Sequence, residues 1–390
     1  MKKARPRAKT LAAIALVLVS SAMAIVLAEF GLRLAVPPGD FLQATLVDDP
    51  VLGHRIEPFS TGHDALGLRN REVPKHADIV AIGDSMTYGV SASRDSSWPE
   101  QLSRLLGEPV YNMGLGGYGP LQYLQLAKTS ARAMTPRLLI VGFYFGNDLM
   151  DSYYLAHGRP YWSGWRLGEG SPTGSTAFDL EGQATPHKRF AGLRNWLARH
   201  SMLYAVIRAT LLAPLAQREE ARMAEQAGPD AWMLWKDPAR PELRTGFKPR
   251  LRLAALDLTL PPVREGMQIS MRALHELDAE ARSMHAGLLT VLIPTKERAY
   301  CGYLQDSKER LPPSFVRLCK AETEANQALK TYLDDQHIGY IDVLPILEAR
   351  IREHEQVYPP SSDGHPVAAG YGVIAKAIAA MIRERFPRRP

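Results

Sequence analysis

Apolar positions recur along this chain in more than one rhythm, and the changes of rhythm divide it. From Leu11 to Ala28 every residue is apolar or small and none is charged. That length is near the roughly 17–25 residues a bilayer span needs. Residues 37–76 are rich in Pro, Gly and Asp and carry few helical periods, so they read as an irregular lead-in. Short apolar runs then alternate with helical stretches. Strands are predicted at Asp78–Ile82, Pro109–Met113 and Leu138–Phe145, with helices at Pro99–Leu106 and Leu121–Ala133 between them. Strands apolar on both faces, alternating with helices, imply an α/β fold whose parallel sheet is covered on two sides.

Around Leu149 the regularity lapses until about Pro262, apart from one amphipathic segment near Leu193–Leu215. Arg208 interrupts that segment and it is too short to span a bilayer. It either lies on a membrane surface or caps the core, the cap being the expected role. Trp162, Trp165, Trp232 and Trp235 fall in this insertion; they either stack on sugar rings or bury themselves. The alternation resumes with a long helix from Val263 to about His285 and a fourth strand at Leu288–Pro294. A helix at Ala321–Leu333, a fifth strand at Gly339–Val343 and a closing helix at Ala368–Phe386 complete it. Ile374, Ile378 and Ile382 form one stripe of that last helix.

Charge changes the picture at one end only. Five of the six net positive charges sit on Lys2, Lys3, Arg5, Arg7 and Lys9, leaving +1 for the rest. The basic balance is therefore a topology signal, not a nucleic-acid footprint, and no nucleic-acid partner is expected. Cations before an apolar stretch describe a signal sequence or an anchor helix with its amino end in the cytoplasm. Ala22-Met23-Ala24 and Val26-Leu27-Ala28 both fit small-residue cleavage rules; a retained anchor is the expectation, with the main body exported in either case. In an oxidising compartment Cys301 and Cys319, either side of Pro312-Pro313, could form a disulfide or remain two buried thiols. Two cysteines without clustered histidines fall short of a metal ligand set.

Four places could carry chemistry. Ile79–Tyr88 stops an apolar strand abruptly at Gly83-Asp84-Ser85, which delivers Ser85 to the carboxyl end of the sheet, where α/β folds place their sites. Backbone N–H groups there can stabilise charge on an attacked carbonyl. Asn112–Gly119 follows the second strand. Its Gly114, Gly116 and Gly119 match G-x-G-x-x-G, but in the second unit and without the acidic residue that a dinucleotide site places about 20 residues on. Asn147, in Gly146-Asn147-Asp148 after the third strand, offers an uncharged amide donor. Asp363-Gly364-His365 puts a histidine beside a carboxylate in a late loop, where it could take a serine proton. His157, His187 and His354 have no comparable setting.

In that order these motifs resemble the SGNH (GDSL-type) hydrolase superfamily, over Ala77–Asn147 and Leu288–His365. The resemblance implies a three-layer α/β/α sandwich with a five-stranded parallel sheet of flavodoxin-like topology. It implies Ser85 as nucleophile and first oxyanion donor, Gly117 as second donor, Asn147 as third, His365 as general base and Asp363 as its orienting acid. The apolar leader followed by Gly67-Leu68-Arg69 is similar to a membrane-anchored bacterial branch. Residues 1–36 would then be a cytoplasmic tip and signal-anchor of the inner membrane. Residues 37–390 would be a hydrolase domain outside it, with an insertion at about 150–262. Only Gly364 separates Asp363 from His365, where many members have two residues; the short form resembles alginate O-acetyltransferase-like relatives. Val367 also replaces an asparagine often found after His-Pro.

The implied function is a serine esterase acting on an O-acyl, chiefly O-acetyl, ester of an envelope glycan, with no cofactor. An O-acyltransferase would use the same residues and differ in whether water is excluded at the second step. A non-catalytic envelope glycan-binding or assembly protein keeping the fold is the rival from another class. A nicotinamide-dependent oxidoreductase is more distant still.

Overall fold

Nine strands form in the computed structural model, which describes residues 6–168, 191–238, 240–307 and 310–386. In the lead-in, β1 (Leu46–Asp49) and β2 (Gly53–Ile56) make an antiparallel hairpin. The main sheet is built from β3 (Ile79–Gly83), β4 (Val110–Gly114) and β5 (Leu138–Tyr144), joined later by two strands. Within the insertion, β6 (Met233–Lys236) and β7 (Arg244–Phe247) form a second hairpin. The later strands are β8 (Gly287–Ile293) and β9 (Tyr340–Asp342). Spatial order is β4-β3-β5-β8-β9, all parallel. Counted by appearance within the sheet this is 2-1-3-4-5, the flavodoxin-like doubly wound order.

The period of two along each strand sends alternate side chains into two cores. Ile79, Ala81 and Ile140 pack with helices Trp98–Leu106, Lys296–Asp306, Leu344–Arg352 and Ala368–Arg385. Val80, Ile82, Leu139 and Val141 pack with Pro120–Leu126, Pro261–Ser283 and most of Pro313–Asp335. Three layers result.

Differences from the sequence reading have local causes. The helix expected at Ala321 begins at Pro313, because a proline in the first turn is preset for helix rather than loop. A helix at Asp148–Gly158 occupies the stretch expected to be irregular; it buries Leu149, Tyr153 and Leu155 together with Asp148, Asp151 and His157, so no polar face marks it. The Leu193–Leu215 segment divides into helices Ala191–His200 and Met202–Thr210 and the start of Ala213–Ala227. Trp162 and Trp235 are buried in the cores. Trp165 lies under the Arg272 guanidinium and Trp232 under the Lys248 ammonium.

Cys301 and Cys319 are joined by a disulfide linking helices Lys296–Asp306 and Pro313–Asp335, with their Cα atoms 6.2 Å apart. The amino-terminal helix runs Pro6–Ala35, and its apolar part, Thr10–Ala35, is long enough to cross a membrane and is not buried against the protein.

Candidate active site

Ser85 is set by glycines. Gly83 faces Gly114 on one side and Gly142 on the other, in register across β4-β3-β5. A Cβ on Gly83 or Gly142 would strike the Thr87 side chain, and one on Gly114 would strike the Tyr88 backbone. Bare backbone on three adjacent strands, at the ends of β3 and β4 and two residues before the end of β5, therefore lets the single helical turn Ser85–Tyr88 settle directly on the sheet. Asp84 caps it, accepting from Met86 N at 2.8 Å. Buried Asn112 fixes it from the neighbouring strand, donating to Thr87 O at 2.9 Å and accepting from Gly114 N at 2.8 Å.

The late loop returns to the same point. His365 Nε2 lies 2.8 Å from Ser85 Oγ, and its Nδ1 lies 2.6 Å from Asp363 Oδ1. The His365 backbone N–H also donates to that oxygen at 3.1 Å, and Ser91 Oγ donates to Asp363 Oδ2. The spacing with one intervening residue thus closes a local turn that holds the imidazole plane. Behind it, fully buried Lys296 donates from Nζ to the carbonyls of Ser361 and Asp363, each at 2.9 Å. The insertion supports the loop as well, through Gly246 N to Ser361 O and Thr245 Oγ1 to Pro359 O, both 3.0 Å.

Electrostatics follow from this burial. Asp363 is pushed up by desolvation, but hydrogen bonds from His365 and Ser91 and the His365 charge outweigh it, holding the carboxyl well below the usual range. Asp84, fully buried, is pushed up to about 6 by desolvation, against the pull of Met86 N–H and His365. It sits 3.2 Å from Ser85 Oγ. Burial lowers the Lys296 ammonium to about 8, opposed by Glu297 and Asp363.

Gly117 lies in the tight turn Leu115–Tyr118 with φ +77°, a conformation that favours glycine. Its neighbour Gly116 packs beside Ser85, and the Gly116 carbonyl lies 2.8 Å from His54 Nε2. Asn147 is buried, and its Nδ2 donates to Asp151 Oδ2 at 2.5 Å while the amide also meets Asp84. The structure therefore joins Ser85, His365 and Asp363 by direct hydrogen bonds; Asn147 reaches Asp84 beside Ser85, and Gly117 follows Gly116, the glycine that packs against Ser85. Gly114 and Gly119, two of the glycines of the dinucleotide-like pattern, are pressed against the Tyr88 backbone and Asp151, closed to a pyrophosphate. His157 pairs with Glu265 and His354 approaches Asp237, both away from Ser85; His187 lies outside the described residues. Among the described residues no His, Cys, Asp and Glu cluster fit for a metal ion occurs.

Sequence reasoning passed over Asp84, Ser91 and Lys296. Lys296 had a usable signal: a cation three residues past the end of a buried strand, on the side where the other reactive residues emerge. A cleft of about 760 Å³ opens beside the site, between the lead-in Gly39–Leu46 and the loop Gly89–Ser93. Its walls include Phe41, Leu42, Val90 and Leu115, with Gly116 and Ser91 linking it to the reactive groups.

No protein-family model matches the chain, and no curated protein matches it. Among solved structures it is similar to a GDSL-like lipase from Bacteroides thetaiotaomicron VPI-5482, at 10% identity and TM-score 0.35 over 78% of this chain and 87% of that one. A catalytic mutant of an acetylxylan esterase from Geobacillus stearothermophilus is similar at 11% identity and TM-score 0.39, over 81% of this chain and 100% of that one. An alpha/beta hydrolase from the metagenome of Lake Arreo, Spain, is similar at 11% identity and TM-score 0.38, over 78% and 95%. Likenesses this distant carry no argument of their own.

Proposed function

We propose that the protein is a serine ester hydrolase. The observation that carries this is the continuous chain Ser85 Oγ, His365, Asp363, at 2.8 and 2.6 Å, delivered to the carboxyl edge of the sheet. A hydroxyl becomes a nucleophile when an oriented base can take its proton. Ser85 Oγ attacks the ester carbonyl while His365 Nε2 receives the proton, and Asp363 holds Nδ1–H and offsets the charge on the ring. Negative charge on the carbonyl oxygen falls to the N–H groups of Ser85 and Gly117, while the Asn147 amide, expected as a third donor, must first release Asp151 or Asp84 to join them. His365 then protonates the departing alcohol, and a water activated by the same imidazole releases the acyl group from Ser85.

The finer reading places this chemistry outside the inner membrane, on O-acyl groups of an envelope glycan, with the amino-terminal helix retained as anchor. The tryptophans lend the glycan little support, since Trp162 and Trp235 pack inside the protein. Transfer to an acceptor alcohol would use the same residues.

A serine-directed fluorophosphonate probe should label the full chain, with no labelling in Ser85→Ala. Hydrolysis of a small aryl acetate should fall by on the order of 10⁴ or more in Ser85→Ala and in His365→Ala. Equal labelling of wild type and Ser85→Ala would overturn the assignment. Release of free acid against acylated sugar, with an acceptor present, separates hydrolysis from transfer.

A further inference from the structure

The insertion helices and the amino-terminal helix are tied together at one level. Glu29 accepts from the N–H groups of Met202 and Leu203, both 2.9 Å, and from Ser201 Oγ at 3.1 Å, so it caps the helix Met202–Thr210 from outside. Arg33 donates to His200 O at 2.6 Å and to Glu29 at 2.8 Å. Leu42, Met202 and Ala205 form a small core packed with Leu32 and Val36. The uncharged stretch Leu11–Ala28 ends immediately before Glu29. At 1.5 Å per residue it covers roughly 27 Å, close to the roughly 30 Å of a hydrocarbon core. Glu29 and Arg33 thus mark the level at which such a helix leaves the lipid.

At that level the insertion presents an apolar and basic face. Leu193 and Trp196 are each 56% exposed, Leu211 71% and Leu215 57%. Residues 191–212 contain Arg194, Arg199 and Arg208 and no acidic residue. Large apolar side chains with an interfacial tryptophan and unopposed arginines form the pattern of helices that lie in a headgroup layer.

We infer that helices Ala191–His200 and Met202–Thr210, with Leu211–Leu215 beyond them, lie in the headgroup layer of the bilayer that the amino-terminal helix crosses. Trp196 and Leu211 enter the acyl boundary, and the arginines meet anionic lipid phosphates. The inference rests on that helix being a retained span. Continuity with the span names the occupant: any other partner would have to reach this face against the membrane itself. One consequence concerns the site. Arg199 and Phe41 line the cleft beside Ser85, so its mouth opens at the lipid surface.

The full chain is reconstituted into vesicles of phosphatidylcholine and phosphatidylglycerol (3:1) carrying bromine at shallow acyl positions, and tryptophan fluorescence is read. Quenching is expected in the wild type, with at least half of it lost in Trp196→Phe, since Trp98, Trp162 and Trp235 are buried and Trp165 and Trp232 are half-buried beneath Arg272 and Lys248. Deep-chain bromines should quench less than shallow ones. Unchanged quenching in Trp196→Phe, or none in the wild type, overturns the inference. Alkaline carbonate extraction separates the two levels of failure. A chain that resists extraction and is not quenched spans the bilayer without this contact. A chain released by carbonate has no span, and the inference falls with it.

Discussion

A serine hydroxyl and an imidazole 2.8 Å apart are useful only if the groups behind them hold still, and two buried charges do that here. Asp84 accepts from Met86 N–H and abuts Ser85 Oγ, at the cost of an ionised carboxylate out of water. Below pH 3.8 it is protonated in folded and unfolded chains alike, and above about 6 it is ionised in both. Between those values only the folded chain keeps the proton, so this group's stabilising contribution is lost as pH rises through about 6. The gap corresponds to about 3 kcal/mol. Asp84→Asn should therefore be more stable than wild type by up to that amount at pH 7.5 and gain almost nothing at pH 4. Urea denaturation of the two proteins at both values checks it. Lys296→Met removes the donor from two buried carbonyls and frees the loop that orients His365. A displacement of about 1 Å there should lower kcat roughly 100-fold and leave KM within a few-fold, read on the aryl ester. Ser85 and His365 were legible because each sits in a punctuated motif beside a strand or helix boundary. Lys296 acts through the far side of a loop: its place just past a buried strand marks its side of the sheet, but not the partner it meets across 65 residues.

At the scale of elements, the sheet was readable because its strands are apolar on both faces, and five such runs between helices leave few arrangements. The insertion was not. Its hairpin β6–β7 is short and braces the histidine loop through the Gly246 N–H, a group nearly every residue carries, and the Thr245 hydroxyl, one of many in the chain. Helix Asp148–Gly158 buries acids and apolar residues together, which erases the amphipathic signal. The disulfide was left open by the sequence, since pairing depends on where two helices end. It fastens Lys296–Asp306, whose first residue braces the reactive loop, to Pro313–Asp335 across a sequence separation of 18. Closing a loop of that size contributes about 3 kcal/mol. Cys301→Ser with Cys319→Ser should lower stability by about that amount while a folded chain still labels at Ser85, measured by denaturant midpoint and probe labelling in parallel.

Across the whole molecule, the amino-terminal helix is coupled to the body through a few polar contacts and a small apolar cluster around Leu32. Glu29→Ala withdraws the acceptor from Met202 N–H and Leu203 N–H and should cost about 1 kcal/mol of helix stability, as loss of a cap does. Faster amide exchange at positions 202–204, with exchange in the central sheet unchanged, is the expected result. The same global view bears on how the catalytic pair arises. Its two members are 280 positions apart, one from the first strand of the sheet and one from the approach to the last helix. A chain made from its amino end presents the alcohol 280 residues before the base. A form cut anywhere between the two holds the alcohol without its base and is chemically silent, so the proposed ester turnover reports that both stretches have come together.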